Sequence, residues 1–169
     1  MVDIQTVSIV IASASVMAGV LYYIFQIRHQ TKMRQTDLIM RLYSTLGSKE
    51  FVENDPKIFN QEFKDLEGFL QKYGSFSKFM ESSDYAPFMM DSMFFEGVGI
   101  LLYRKLVDIE LVDDLFSSPI ITIWEKTKPM TEALRKHFDR PQIAEWFEYV
   151  YNEMKKREQK LQQSTAKGE

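Results

Sequence analysis

From Ile4 to Ile27 the chain carries no charged side chain. The run reads I-Q-T-V-S-I-V-I-A-S-A-S-V-M-A-G-V-L-Y-Y-I-F-Q-I. As a helix rising 1.5 Å per residue it spans roughly 36 Å, enough to cross a bilayer with some tilt. A cleavable signal would need a basic leader and a shorter apolar core. Here only Met1-Val2-Asp3 precedes the run, and apolar sequence continues well past Ala12-Ser13-Ala14, a triplet that resembles a cleavage site. A retained membrane anchor is therefore expected.

The flanks give the anchor a direction. Arg28, Lys32, Arg34 and Arg41 follow it and Asp3 precedes it. The positive-inside rule then places the short N-terminus outside the cell membrane and the C-terminal domain in the cytoplasm, as a single-pass protein. Tyr22, Tyr23 and Phe25 stand at the inner end, where an interfacial aromatic belt lies. The four basic residues are candidates for contact with anionic lipid headgroups. A pure topology role is preferred for them, because the cluster is small and interrupted by Asp37. Small residues recur on one stripe of the run, Ser8, Ala12, Ser15 and Gly19, and the stripe continues through Tyr22 and Gln26. Such a stripe lets two helices approach closely, so it is the candidate contact face for a second copy or for another membrane protein.

The remainder of the chain has room for one small domain. Of 21 basic and 24 acidic residues only Asp3 lies in the first 27 positions, which leaves 23 acids against 21 bases and a net charge of about −2. That balance provides no broad basic footprint, and no nucleic-acid partner is expected. Cysteine is absent, which excludes a disulfide scaffold, a thiolate zinc site, an iron–sulfur cluster and a cysteine nucleophile. The 13 Phe, 8 Tyr, 2 Trp and 10 Met residues are enough to fill a soft aromatic core without such staples.

Hydrophobic spacing predicts an all-α fold: a single transmembrane helix continuing into a small cytoplasmic helical bundle. The expected divisions are a short extracytoplasmic N-terminus (1–3), the membrane helix (4–27), a juxtamembrane stalk (28–46), the helical domain (47–158) and a polar tail (159–169). Leu38, Leu42 and Leu46, with Ile39, form the stripe of the stalk, which Gly47 ends. Ser48 caps a short helix. Asp55-Pro56 is expected to restart the helix, with Phe59, Phe63, Leu66, Leu70 and Tyr73 as one amphipathic stripe. After Asp84 comes the most apolar soluble segment, whose apolar positions run right round the helical wheel. It is read as the central core helix, where Gly97 and Gly99 offer close approach to a neighbour. Asp108 to Phe116 is expected as a short helix, and Ser118-Pro119 as the cap of the next, with Ile120, Trp124, Thr127, Thr131, Leu134 and Phe138 facing inward. Ile143, Phe147, Val150 and Met154 form the buried face of the last helix. No alternating β pattern of useful length and no internal repeat is present.

Sites for chemistry are scarce. His29 and His137 are the only histidines, and Gln26 and Leu134 stand three residues before them, so the Glu-x-x-His motifs of a di-iron bundle are missing. The zincin, nucleophile-elbow, phosphate-loop and dinucleotide motifs are missing too. No metal and no cofactor is expected. The one oddity is Asp91 and Glu96 on the apolar helix. Buried carboxylates can act as acid or base. Pairing with Arg104 or Arg135 across the bundle is the preferred reading, because the two acids point about 140° apart at helical spacing.

Three segments carry a resemblance: F-F-E-G-V-G-I-L-L-Y-R-K-L-V-D-I-E-L-V from Phe94, W-E-K-T-K-P from Trp124 and R-K-H-F-D-R-P from Arg135. With the N-terminal apolar run and the basic stretch after it, the chain resembles a family of short prokaryotic membrane-anchored proteins known only as a domain of unknown function. The resemblance implies an all-helical cytoplasmic domain and brings no activity, cofactor or site residue. The function expected is a non-enzymatic, membrane-anchored interaction module, an adaptor or accessory subunit of a membrane or signalling complex. Two alternatives stand beside it. One is a membrane-tethered enzyme using Asp91 and Glu96, with Arg104 or Arg135. The other is a homo-oligomeric membrane scaffold.

Overall fold

The computed structural model describes residues 3–60 and 65–166. Among these the chain is all-α, with helices α1 (Ile4–Leu46), α2 (Lys49–Phe59), α3 (Leu66–Tyr73), α4 (Phe76–Met80), α5 (Tyr85–Tyr103), α6 (Ile109–Phe138) and α7 (Glu145–Ala166). A long apolar N-terminal helix is thus followed by a helical bundle. The chain divides into two compact units, Met1–Leu38 and Ile39–Glu169.

The first unit is the greater part of α1. Every residue from Asp3 to Arg34 is exposed. The helix is long and apolar enough to cross a membrane, and none of its apolar window is buried against protein.

The second unit begins at Ile39, which is fully buried while Leu38, Leu42 and Leu46 beside it are half-buried. Gly47 closes α1 by donating its N–H to the Tyr43 carbonyl at 3.0 Å. Ser48 then accepts from the Phe51 N–H as the cap of α2. The expected restart at Asp55-Pro56 does not occur, and α2 runs straight through Pro56. A proline removes its own N–H bond and crowds the carbonyl of residue i−4. Phe51 and Ile58 are buried on either side of it, and the ladder resumes when the Asn60 N–H reaches the Pro56 carbonyl at 3.1 Å. Nor is there one stripe from Phe59 to Tyr73. The chain leaves the helix after Phe59, and α3 starts afresh with the Asp65 side chain accepting from the Gly68 N–H at 2.9 Å. The phase is therefore reset. Phe69 becomes the buried residue, Leu66 and Tyr73 are half-buried, and Leu70 is exposed. Phe63 lies outside the described residues, as does the side chain of Phe59.

Helix α4 is capped by Ser75 and buries Phe76 and Phe79. The Phe79 ring meets Phe69, Tyr73, Tyr85 and Phe88 at centroid distances of 4.9–5.6 Å. Most of these contacts are edge-on, the arrangement aromatic quadrupoles prefer. Helix α5 is the central core helix, with Phe88, Asp91, Phe95, Val98 and Leu102 all buried. Helix α6 is one helix of 30 residues, not two. Asp108 caps it, and it continues through Pro119 because Phe116, Ile120 and Ile123 are buried on both sides of the lost bond. Its inner stripe is as expected from Ile120 to Leu134. Phe138 differs: it is half-exposed at the end of the helix, where Asp139 turns into the left-handed region with φ 52°.

Helix α7 packs chiefly on α5. Phe147, Val150 and Met154 are buried; Ile143 is half-buried in the turn before the helix. Phe147 stacks on Phe95 at 5.0 Å and meets the edge of Trp124 at 4.9 Å. Ion pairs Arg135–Glu148 (2.7 Å) and Arg157–Asp113 (2.6 Å) tie α7 to α6. The contact with α5 depends on Gly99, where a Cβ would run into the Trp146 carbonyl group; at Gly97 a Cβ would meet nothing within 4 Å. Gly99→Ala is therefore expected to destabilise the bundle by about 1–3 kcal/mol through forced separation of α5 and α7. Gly97→Ala is expected to stabilise it by up to about 1 kcal/mol through helix propensity alone. Denaturant unfolding of the two variants checks both, and equal effects would contradict this packing.

Candidate functional site

The N-terminus of α7 lacks a local cap. Ala144 occupies the position before Glu145, with φ 57°, and alanine has no side-chain acceptor for the free amides of a first turn. The acceptor comes from α5. Glu96 Oε2 accepts from the Phe147 N–H at 2.8 Å, and a carboxylate at this end also meets the positive pole of the helix. Opposing effects act on its acidity. Burial raises the Glu96 pKa, the backbone N–H groups of Phe147 and Trp146 lower it, Glu145 raises it and Arg135 lowers it. Burial prevails, so the carboxyl titrates above its ordinary value.

Beside Glu96 lies a cavity of about 130 Å³ between α5, α6 and the turn into α7. Phe88, Met89 and Met93 of α5 wall it on one side, Leu134 of α6 on another, and Ile143 and Ala144 close the turn side. Glu96 and Ser92 of α5 and Thr131 of α6 also line it, but the Ser92 and Thr131 hydroxyl oxygens are themselves buried. Ser92 is 8% exposed and Thr131 1% exposed, and neither hydroxyl has a hydrogen-bond partner among the described residues. Sequence reading missed both. Helical spacing puts Thr131 on the inner stripe as core and gives no signal for Ser92. The available signal was a hydroxyl on the apolar face of each of two helices that pack together.

The four candidate residues for acid–base chemistry are not gathered in this cavity. Glu96 lines it. Asp91 is buried in α5 but is not part of its wall. Arg104 is exposed at the C-terminal cap of α5. Arg135 is committed elsewhere, to Glu148 at 2.7 Å and to the Ile143 carbonyl at 2.9 Å. No group of three or more acidic or histidine side chains suited to a metal is present among the described residues.

Along α1, Ser8, Ala12, Ser15, Gly19, Tyr22 and Gln26 are all exposed. The Ser8 and Ser15 hydroxyls donate to the carbonyls of Ile4 and Ile11 at 3.0 and 2.9 Å. These two serines are thus satisfied inside their own helix and need no second helix for their hydroxyls. Arg28, Lys32, Arg34 and Arg41 are likewise exposed.

The Glu96 geometry has a measurable consequence. A carboxyl whose folded-state pKa is raised contributes stability that is fully present below its unfolded value of about 4.5 and is lost as pH rises through the folded value. Glu96→Gln removes the titration but keeps a side-chain oxygen for the Phe147 N–H. The unfolding free energy of the natural chain relative to Glu96→Gln should therefore fall as pH is raised from 4 to 8. Glu96→Ala, which leaves the amide orphaned, should cost about 1–2 kcal/mol. Denaturant titrations across that range measure both, and a relative stability that rose with pH would refute the assignment.

No curated protein and no solved structure matches the chain. One family model does, described as Domain of unknown function (DUF4760), and it matches residues 13–154. The matched stretch opens within the apolar part of α1 and closes within α7, so it takes in the central helix, the Glu96 cap and the cavity. With 13–154 matched, the chain belongs to the DUF4760 family of domains of unknown function.

Proposed function

We propose that this chain is a non-enzymatic, membrane-anchored helical interaction module, an adaptor or accessory subunit held at the cell membrane by α1. The observation that carries the reading is the uncharged stretch Ile4–Ile27, exposed along its whole length. Left in water, so much apolar surface is unfavourable by roughly 25 cal/mol per Å², and a bilayer removes that penalty. In this reading Arg28, Lys32, Arg34 and Arg41 lie on the cytoplasmic side with the bundle, and the short N-terminus lies outside. Anchoring confines the bundle to the membrane surface and raises its effective concentration toward other membrane components. The dispersal of Asp91, Glu96, Arg104 and Arg135 favours interaction over carboxylate catalysis, since acid and base must meet one reacting group.

The full chain is expected to resist alkaline extraction from membranes. Val16→Arg combined with Val20→Arg, near the centre and inner half of the run, should release it, because each arginine costs on the order of 3 kcal/mol at mid-bilayer. The absence of cysteine permits a clean topology test. Leu161→Cys, at an exposed position of α7, should react with a membrane-impermeant maleimide only after cells are permeabilised. Labelling in intact cells would reverse the orientation, and alkaline extraction of the natural chain would remove the anchor. Mild-detergent purification should recover a stoichiometric membrane-protein partner, or a second copy crosslinked through single cysteines at Ser8, Ala12, Ser15 or Gly19. A strictly monomeric chain would count against the interaction role.

A further inference from the structure

We propose that the turn closing α5, Tyr103-Arg104-Lys105-Leu106, together with Trp146 and Tyr149 of α7, is a docking face for a bilayer surface that carries anionic headgroups. The inference rests on the reading of α1 as a membrane anchor, and it adds a second, reversible lipid contact made by the bundle itself.

The turn comes first. Tyr103, Arg104, Lys105 and Leu106 are exposed in succession, Tyr103 to 57% and Leu106 to 51%. The backbone that carries them is fixed. The Leu106 N–H donates to the Leu101 carbonyl and the Lys105 N–H to the Leu102 carbonyl, both at 2.9 Å. Val107, the next residue, is buried. An exposed leucine is thus held outside while the valine beside it enters the core. Lys105 stands at φ 57°, in the left-handed region where a helix end usually places glycine. Lysine there carries a backbone cost that glycine would not, and neither Arg104 nor Lys105 forms an ion pair among the described residues. The bases of α7 differ: Lys155, Lys156 and Arg157 are all paired with acids.

Tyr103 joins this turn to α7. Its ring centroid lies 4.4 Å from that of Trp146 and 5.7 Å from that of Tyr149, and the latter two are 6.2 Å apart. Trp146 and Tyr149 are half-buried, so the cluster stands at the surface. Tryptophan and tyrosine, apolar bodies with polar tips, collect at the membrane–water boundary. Lysine and arginine beside tryptophan and leucine are the composition of segments that lie in the headgroup layer, whereas the core of a protein interface is depleted in lysine. Charge has the right sign as well, since Arg104 and Lys105 complement anionic headgroups. Of the acids nearby, Glu153 is paired with Lys156 at 2.7 Å and Asp108 accepts from the Glu110 N–H at 2.9 Å. Glu145, exposed beside Trp146, remains, so the aromatic and apolar groups carry the contact and charge reinforces it. The anchor makes so small a face sufficient. Only residues 28–38 separate the uncharged run from Ile39, where the second unit begins, a reach of about 40 Å even if fully extended. A domain tethered so closely meets lipid at high effective concentration.

The chain's two tryptophans provide the readout. Trp146 belongs to the face, and Trp124 is buried in the core. The full-length chain is reconstituted into vesicles of three parts phosphatidylcholine to one part phosphatidylglycerol, with and without bromine on the phosphatidylcholine acyl chains. Bromine quenches indole fluorescence only at close range, and Trp146→Phe measures the Trp124 background. Brominated lipid should remove about half or more of the Trp146 signal. Leu106→Asp, at an exposed position, should abolish most of that quenching with the unfolding midpoint unchanged. Lys105→Gly should weaken the quenching in these vesicles, but not in pure phosphatidylcholine, without lowering the midpoint; a purely structural role for Lys105 does not produce that combination. Flotation of the vesicles at alkaline pH reports on the anchor separately. A chain that floats but shows no quenching above the Trp146→Phe background overturns the docking, leaves the anchor standing and points to a protein as what covers the face. A chain that fails to float overturns both. Quenching that Leu106→Asp leaves intact also overturns the docking, and quenching equal in pure phosphatidylcholine and indifferent to Lys105→Gly overturns the assignment to anionic headgroups.

Discussion

Glu96 and the first turn of α7 hold the bundle in register. Ala144, the residue before α7, has no side-chain oxygen to meet the first-turn N–H groups. The carboxyl that does so belongs to a residue about fifty positions earlier, at the middle of the central helix. One hydrogen bond of 2.8 Å therefore fixes where α7 starts along α5. Three residues further on, at Gly99, the two backbones are too close for any side chain to stand between them. With these two points set, Phe147 falls between Phe95 and Trp124, and the buried face of α7 follows at Val150 and Met154. The ion pairs to Asp113 and from Arg135 then join α7 to α6. They are partly exposed, so they add specificity of register more than stability.

The same arrangement makes the cavity. The turn through Ile143 and Ala144 is held by Glu96 at the start of α7 and by Arg135, which donates to the Ile143 carbonyl at 2.9 Å. Two polar contacts therefore hold the turn that forms one side of the cavity.

What was legible in the sequence was what local chemistry controls. The uncharged run of α1, the stop at Gly47, the cap at Ser48, the helix start near Asp108, the all-round apolar α5 and the inner stripe from Ile120 to Leu134 all rest on residues within a few turns of one another. The prolines misled. Pro56 and Pro119 were expected at the first positions of new helices, because one lost bond and a ring clash disfavour a helix interior by about 3 kcal/mol. That local penalty is smaller than the burial of Phe51 and Ile58 around one and of Phe116, Ile120 and Ile123 around the other. The shift from Leu70 to Phe69 arose because a stripe cannot be carried across a break, and Asp65 starts its helix at its own phase. The partners of Arg135 and Glu96 were illegible for a different reason. Several acids and bases were available, and only the tertiary packing of α6 and α7 against α5 decides among them.

The local costs in the bundle differ in how they are met. The prolines of α2 and α6 are compensated on the spot by buried neighbours, and they need no further explanation. The costs without such compensation are spread over several places: Thr131 and Ser92 have hydroxyls without hydrogen-bond partners among the described residues, Lys105, Asp139 and Ala144 lie in the left-handed region, and burial raises the Glu96 pKa. Several would be cheaper with a common substitution, valine for the threonine, alanine for the serine, glycine for Ala144.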